Sequence, residues 1–463
     1  MTGNKELKTL TAKEIAEKLR SKVARGEFLP GQKMPTVRKL ADEFGVSSDT
    51  TFRAYRLLGE TGLLVMKQGA NTTVANPLPG KMGTSVLQDV IGKGPFNEYE
   101  VLSESSNVRS FATNVGDPRF FQADAFLAEL RDVMDRGPWG FYYGPPEGDL
   151  GLRNAIADWL TSLGTPATAE RLVITMGSQQ AFSLVGRTLL SPGDSVAIEG
   201  ADHLGGHLRW SFLGIERNII PRLPGEEPDQ QAIQSSQSKV LVVSPTGCGA
   251  TGRVMSAESR DQLLGICSEK GTVIVEDTSN AGFCFVDRPL DLASFDESVI
   301  QIGSLANVLA PGLRIGYILA PHDICADISR RQQIETGGLG LPMQIAIASY
   351  MQGGFLRDHI RRSLPKYRKR RDALLSSLAK YMPRGIEWTT PQAGFGCKLS
   401  IQGDVDQEAL YKRAVESGVA FTPGSTIFGE PEASQSFRVC FGNQTEARID
   451  EGIRILGEIL ADS

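Results

Sequence analysis

The sequence predicts an α/β architecture: a small helical head, then a large domain in which a mostly parallel sheet carries helices on both faces. Three observations predict it. Short β-branched runs recur at Leu172–Met176, Ser195–Ile198, Val240–Val243, Thr272–Val275 and Val299–Ile302, and helical patterns such as Gln179–Leu190 and Ser256–Lys270 separate several of them. Buried strands alternating with helices favour parallel pairing. The 463 residues exceed what one hydrophobic core organises, so at least two domains are expected. Charge is segregated: residues 1–78 hold 13 Lys/Arg against 8 Asp/Glu, a net of +5, whereas the whole chain is −5 and the remainder therefore −10. A basic module on an acidic body suits nucleic-acid contact, although a solvated charged face would give the same count.

Helix and turn signals define the head in order. Thr11 and Glu14 have capping-box spacing, and Ile15, Leu19 and Val23 fall on one face of the helix they open. Gly26 to Gly31 ends that helix. Thr36 can cap a short helix from Val37 to Phe44, stopped by Gly45. Ser47 or Ser48 can cap the next, through Phe52, Tyr55 and Leu58 to Gly62. Two short helices about a glycine-containing turn make a helix-turn-helix, whose second helix enters the major groove. Leu63–Lys67, a break at Gly69-Ala70-Asn71, and Thr72–Val74 predict a two-stranded wing.

These residues, in order Gly26-x-x-x-Pro30-Gly31-x-x-Met34-Pro35-Thr36-x-Arg38-x-Leu40-Ala41, Gly45-Val46-Ser47, Ala54-Tyr55 and Leu63, resemble the winged helix-turn-helix of GntR-type transcription regulators. The resemblance implies operator DNA as a partner. It places Arg38 on phosphate or a base edge, Ser47, Ser48, Thr50 and Thr51 at the first turn of the recognition helix, and Arg53 one turn further on. Basic side chains there supply salt-dependent positioning, and first-turn side chains read bases. Ser48 and Asp49 depart from the family, which commonly has arginine and then a neutral residue; the exchange weakens phosphate attraction and alters the preferred operator.

Beyond the head, residues 79–108 lose periodicity and are rich in Pro, Gly, Ser and Lys, which predicts a linker with one short helix near Val86–Ile91. The expected division is a DNA-binding domain at 1–78, the linker at 79–108, and a ligand-binding and dimerisation domain at 109–463.

Several motifs mark the large domain. Tyr143-Gly144-x-x-x-Gly148-x-x-x-Leu152-Arg153-x-Ala155-Ile156-Ala157 opens it. Gly177-Ser178-Gln179-Gln180-Ala181 follows a strand and starts a helix, offering amides at a positive dipole end as phosphate binding requires; an ordinary N-cap looks the same locally. Glu276-Asp277 ends a strand, and Ile302–Tyr317 contains Ser304, Asn307 and Arg314. Phe355–Arg371, Gly418-Val419-x-x-x-Pro423-Gly424 and Phe437-Arg438-Val439 follow. Together they resemble the aminotransferase-like domain of MocR-type regulators, a GntR subfamily. That resemblance implies a fold-type I aminotransferase architecture with a smaller C-terminal α/β subdomain, a pyridoxal phosphate (PLP) site, and a head-to-tail homodimer. It places Ser178, Gln179, His203, Asp277, Ser304, Asn307 and Arg314 at the cofactor: Arg314 on phosphate, Asp277 on the pyridine nitrogen, His203 stacked on the ring. Arg438 would hold a ligand carboxylate by a bidentate pair. Structural ion pairs are the alternative reading of both arginines.

The departures concentrate at the ring. Asn307 stands where the Schiff-base lysine belongs, and an amide nitrogen is neither nucleophilic nor basic. Ala306 lacks the preceding hydroxyl, Ser279 takes the place of a tyrosine, and Gly247-Cys248 replaces His-Gln. No catalytic residue and no covalent internal aldimine are therefore expected. The expected function is a transcription regulator that senses a small anionic metabolite (an amino acid, PLP or a PLP adduct), any PLP being held non-covalently. Two alternatives stay open: an enzyme doing other chemistry with His203 as base, and a DNA-binding scaffold without a ligand. His203 and His207, with Asp202 nearby, have helical spacing for a metal, but no third ligand is evident and Gly205-Gly206 disfavours the helix it needs. The six cysteines show no C-x-x-C spacing and are expected as reduced, mostly buried thiols. With no apolar run near the roughly 20 residues a bilayer needs and no apolar signal core, the expected location is cytoplasmic.

Overall fold

The computed structural model describes residues 10–24, 27–28, 31–66, 71–75, 108–137, 141–200, 210, 214–223, 227–403, 405–424, 427 and 435–461. The chain forms two compact units, Met1–Arg109 and Ser110–Ser463. The short helix expected near 86–91, and with it most of the linker, lies outside the described residues, as do Asp202, His203 and His207.

In the first unit the capping box is reciprocal. The Thr11 N–H donates to Glu14 Oε2 at 2.8 Å and the Glu14 N–H to Thr11 Oγ1 at 3.3 Å. Helix Ala12–Ala24 packs Ile15, Ala16 and Leu19 against Leu40, Ala54, Tyr55 and Leu58 of helices Val37–Phe44 and Ser48–Glu60. Gly45 caps the middle helix in the left-handed region at φ +64°, a conformation glycine adopts without steric cost. Leu64–Val65 and Thr73–Val74 pair antiparallel as the wing.

The second unit is built on a seven-stranded sheet in the order Leu172–Thr175, Gly316–Leu319, Ile300–Ser304, Val273–Asp277, Val240–Val243, Ser195–Glu199, Glu216–Ile220. All pairs are parallel except those of Gly316–Leu319, which runs antiparallel to both neighbours. The five strands expected from β-branched runs are all present. The two not expected have no such run: Glu216–Ile220 is an exposed edge, and Gly316–Leu319 is part of the segment that turns at Arg314.

Alternate side chains of each strand enter opposite cores. Leu172, Ile174, Leu241, Val243 and Ile274 pack with Leu152, Ile156, Leu263 and Ile347, whereas Val173, Val240, Val242, Val275 and Ile318 pack with Phe182, Val185 and Ile328. A four-stranded antiparallel sheet, Ile386–Trp388, Gly396–Ile401, Ser436–Cys440, Thr422–Pro423, forms the smaller C-terminal subdomain. Its Cys397, Leu399, Phe437 and Val439 share a core with Ile449, Ile453 and Leu456 of helix Glu446–Ala461. No helix among the described residues is long and apolar enough to cross a membrane.

Candidate functional site

Strands Leu172–Thr175, Val273–Asp277 and Ile300–Ser304 run in one direction, so their carboxyl ends lie along one edge of the sheet, where ligands of such sheets bind. Most of the candidate residues follow those ends.

Beyond Thr175 the chain turns at Gly177, φ +87°, into helix Ser178–Leu189, whose N-terminus has no side-chain cap bond from Gly177. Against this turn lies Arg314, whose Nη2 donates to the Met176 carbonyl at 2.7 Å. A Cβ built on Gly177 would stand 3.1 Å from Arg314 Nη2, and one on Gly316 would stand 2.7 Å from the Gly177 backbone. Gly177 therefore makes room for the guanidinium beside the helix, and Gly316 for the Gly177 turn. Arg314 itself adopts φ +54°, and no other non-glycine among the described residues has a positive φ. Holding a residue with a Cβ there costs on the order of 1–2 kcal/mol, a strain consistent with a functional constraint. An exposed guanidinium beside the first amides of a helix is an arrangement that suits an anion such as phosphate.

At the ring end, Asp277 is buried and its Oδ1 accepts from the Ser279 N–H at 2.8 Å. Ser279 Oγ is buried without a hydrogen-bond partner among the described residues. Asn307 donates through Nδ2 to Asn280 Oδ1 at 2.7 Å and to the Ser279 carbonyl at 3.4 Å. Asn280 Oδ1 also accepts from Asn114 Nδ2 at 3.2 Å. Three carboxamides thus meet at position 307. Gly116 packs its α-carbon here too, since a Cβ would meet Tyr367 Oη at 2.8 Å and the Asn307 carbonyl at 3.0 Å. Ser304 is buried, accepting from the Ala306 N–H at 3.1 Å and donating to the Ile315 carbonyl at 3.5 Å.

Arg438 lies on the C-terminal sheet, in register with Lys398 on one side and Thr422 on the other. Its Nη2 donates to the Ala112 carbonyl (3.2 Å) and to Thr422 Oγ1 (3.3 Å), and its buried Nε has no partner among the described residues. Segment Ala112–Gly116 therefore connects Arg438 to Asn114 and Asn307.

The strand's neighbouring carboxylate, Glu276, points the other way. It is fully buried and accepts from the Leu292 and Ala293 amides at 2.8 and 3.1 Å. Burial and then Asp291 push its pKa up to about 7. It belongs to the packing of the sheet, and Asp277 to the site.

In the head, Ser47 caps helix Ser48–Glu60, its Oγ accepting from the Thr50 N–H at 3.1 Å. Arg38, Ser48 and Arg53 are exposed and Thr50 is half-buried. Arg53 is engaged by Asp49 on the same helix. Thr51 requires a correction: it is fully buried, its Oγ1 donating to the Ser47 carbonyl at 3.4 Å, so it supports the recognition helix from within and does not face DNA. First-turn position alone does not tell inward from outward, whereas its spacing from Ala54, Tyr55 and Leu58 on the buried stripe does.

Sequence reasoning missed Asn114 and Asn280. Asparagine carries no spacing signal, and only the fold brings positions 114, 280 and 307 together.

Such a sheet, with a phosphate cradle at one strand end and a buried aspartate at another, defines the PLP-enzyme class of fold, here joined to a DNA-binding head. Residues 112–456 match the family of aminotransferases of class I and II, and residues 11–74 match the bacterial regulatory proteins of the gntR family. The chain belongs to the aminotransferase class I and II family and carries an N-terminal GntR helix-turn-helix domain, the combination found in MocR-type regulators. It is 25% identical to the probable rhizopine catabolism regulatory protein MocR of Rhizobium meliloti, covering 96% of this chain and 92% of that one. It is 29% identical to aromatic-amino-acid aminotransferase 1 of Thermococcus litoralis, over 78% of this chain and 90% of that one. The structure of LysN, an α-aminoadipate aminotransferase from Thermus thermophilus complexed with N-(5′-phosphopyridoxyl)-L-leucine, matches with a TM-score of 0.72 at 26% identity, covering 77% of this chain and 93% of that one.

The fold family binds PLP, and the residues present fit its two ends unequally. Gly177, Ser178 and Arg314 leave a cradle that a Cβ would fill, and the buried Ser279 hydroxyl has no partner of its own among the described residues. The group fits as a ligand, and position 307 carries an asparagine.

Proposed function

We propose that this chain is a DNA-binding transcription regulator whose large domain senses a small anionic effector, a PLP-type compound or an amino acid derivative of one, without transaminating it. The observation that carries this reading is the contrast between the cradle at Arg314 and the carboxamide at position 307. Arg314 with the amides of Ser178 and Gln179 holds phosphate. Asp277 meets the ring nitrogen, Ser304 braces the turn that leads to Asn307, and His203 is assigned to the ring face from the sequence alone. Arg438, with one donor already facing no protein partner among the described residues, takes a carboxylate. The ligand found in the similar LysN structure unites these features: a phosphate, a pyridine ring and a carboxylate.

Bound PLP supplies an electron sink, but turnover also needs a base that moves a proton at the reacting carbon. Asn307 cannot accept that proton on its amide nitrogen, so binding is separated from chemistry. A head-to-tail homodimer is part of this reading. The effector then acts by its differential affinity for two domain arrangements.

The test is to titrate the full-length protein with PLP, record absorbance, reduce with borohydride and weigh the intact chain. Reversible saturation without added mass is the expected result. A reduced adduct on a lysine in the pocket would overturn non-covalent binding. Absence of saturation would overturn the PLP-type effector. Asn307→Lys should restore an absorbance band of the protein-bound imine if the pocket accepts PLP.

A further inference from the structure

The carboxamide at position 307 is held in one orientation, and that orientation carries a preference. The Ser279 backbone carbonyl can only accept, so the Asn307 atom 3.4 Å from it must be the donor, Nδ2. Turning the amide over would set oxygen against oxygen. With Nδ2 fixed there, it also donates to Asn280 Oδ1 at 2.7 Å, and that oxygen has its second lone pair occupied by Asn114 Nδ2 at 3.2 Å. Both hydrogens of Asn307 Nδ2 are thus taken up by the protein. Asn307 Oδ1 makes no hydrogen bond to any described residue, and Asn307 is only partly buried. The side chain therefore offers an acceptor, and no donor, to whatever lies in front of it.

We propose that Asn307 makes the pocket selective for the amine form of the ligand, pyridoxamine 5′-phosphate or a primary-amine analogue, over the aldehyde, PLP. This rests on the reading above that the pocket takes a PLP-type ligand, because it is that alignment which sets position 307 opposite the reactive substituent of the ring. A lysine selects the aldehyde by condensing with it. An amide oxygen selects a group with hydrogens to give: an ammonium has three donors and no acceptor, and a hydrogen bond to a charged group is among the stronger ones. An aldehyde carbonyl brings only an acceptor and leaves Asn307 Oδ1 without a partner. The alcohol form, pyridoxine 5′-phosphate, can donate one neutral hydrogen bond and falls between them. The sensor is thereby tuned to the amine end of the vitamer pool, the state that a transaminase leaves after taking an amino group from its donor.

The experiment compares affinities of the three phosphorylated forms for full-length wild type, Asn307→Ala, Asn307→Asp and Arg314→Ala by calorimetry. Only the component lost in Arg314→Ala counts as pocket binding, which removes imines formed by PLP with surface lysines. The expected result is a preference for the amine over the aldehyde of about tenfold or more. It should collapse to within about twofold in Asn307→Ala and widen in Asn307→Asp, which keeps the shape and adds a negative charge. Aldehyde binding equal to or tighter than amine binding in wild type would overturn the preference while leaving the PLP-type reading standing. So would a preference that survives intact in Asn307→Ala, since it would then arise elsewhere. If none of the three shows Arg314-dependent binding to wild type, both the preference and the reading beneath it fail. Thermal midpoints of the variants establish that they are folded, and a ligand-induced rise in midpoint gives a second readout that follows the same order.

Discussion

The two ends of the candidate site have been treated differently in this chain. At the Arg314 end, Gly177, Gly316 and Arg314 depend on one another sterically: a Cβ on Gly316 would collide with the Gly177 backbone, one on Gly177 would crowd the guanidinium, and the arginine holds a positive φ. At the ring end, Ser279, Asn280 and Asn307 are small polar residues joined by ordinary hydrogen bonds. On the proposed reading, the first end holds an anion by geometry that changes with difficulty, and the second recognises by hydrogen-bond polarity, which one substitution can invert. Anchoring and chemistry are then separable properties of the site.

The largest effect should follow from breaking the anchor. Arg314→Ala removes the cation from the cradle, so affinity for phosphate-bearing vitamers should fall on the order of ten- to a hundredfold, as expected for a charged hydrogen-bonding group worth roughly 1.5–3 kcal/mol. Arg314→Gly should lose the same affinity but relieve the backbone at φ +54°. The glycine variant should therefore be more stable than the alanine variant by about 1 kcal/mol, seen in paired thermal or urea melts. Equal stability of the two would mean that the positive φ stores no strain. Gly316→Ala should be worse than either, because its Cβ would meet Gly177 backbone 2.7 Å away and the strand would have to move.

A second comparison is between neighbours on one strand. Asp277 faces the site and Glu276 the core, where burial and Asp291 raise its pKa to about 7. A carboxyl whose pKa is higher folded than unfolded binds its proton more tightly in the folded state. Its contribution is complete below the unfolded value of about 4.3 and is lost as pH rises through about 7. Glu276→Gln should flatten that part of the stability–pH profile between about pH 5 and 8. An unchanged profile in chemical denaturation would show that Glu276 stays ionised, supported by the Leu292 and Ala293 amides. Asp277→Asn should act on ligand affinity.

Much of this was legible in the sequence where a residue's role is local. Caps at Thr36 and Ser47, the αL glycine at 45, β-branched strands and the glycine turn before Ser178 each follow from neighbours within a few positions. Asn307 stood out because its flanking motif fixes what belongs there. What was not legible is non-local or directional. Asn114 and Asn280 lie 193 and 27 positions from Asn307, and only the sheet brings them to it. Glu216–Ile220 carries too few buried side chains to announce a strand. Thr51 sits in the right turn of the recognition helix but on its inward face.

The smallest predicted effect lies in the head, where the comparison is between two charges one turn apart. Asp49 holds Arg53 in an exposed i,i+4 pair on the recognition helix. Such a pair contributes only about 0.3–0.5 kcal/mol to the helix, so Asp49→Ala should cost the head little stability, even counting the loss of an acidic group near the helix N-terminus. On DNA the balance reverses. Removing the anion lowers repulsion from phosphate and releases Arg53 to make a phosphate contact of its own. Binding to non-specific duplex should tighten a few-fold at low salt, and the slope of log affinity against log salt should steepen by about one. Arg53→Ala should weaken wild-type binding slightly, because it leaves the Asp49 carboxylate uncompensated beside phosphate, and the gain from Asp49→Ala should be smaller in its background. A double-mutant cycle across salt concentration separates this from a general effect of net charge: if Asp49→Ala tightens binding equally with and without Arg53, the pair is not what restrains the arginine.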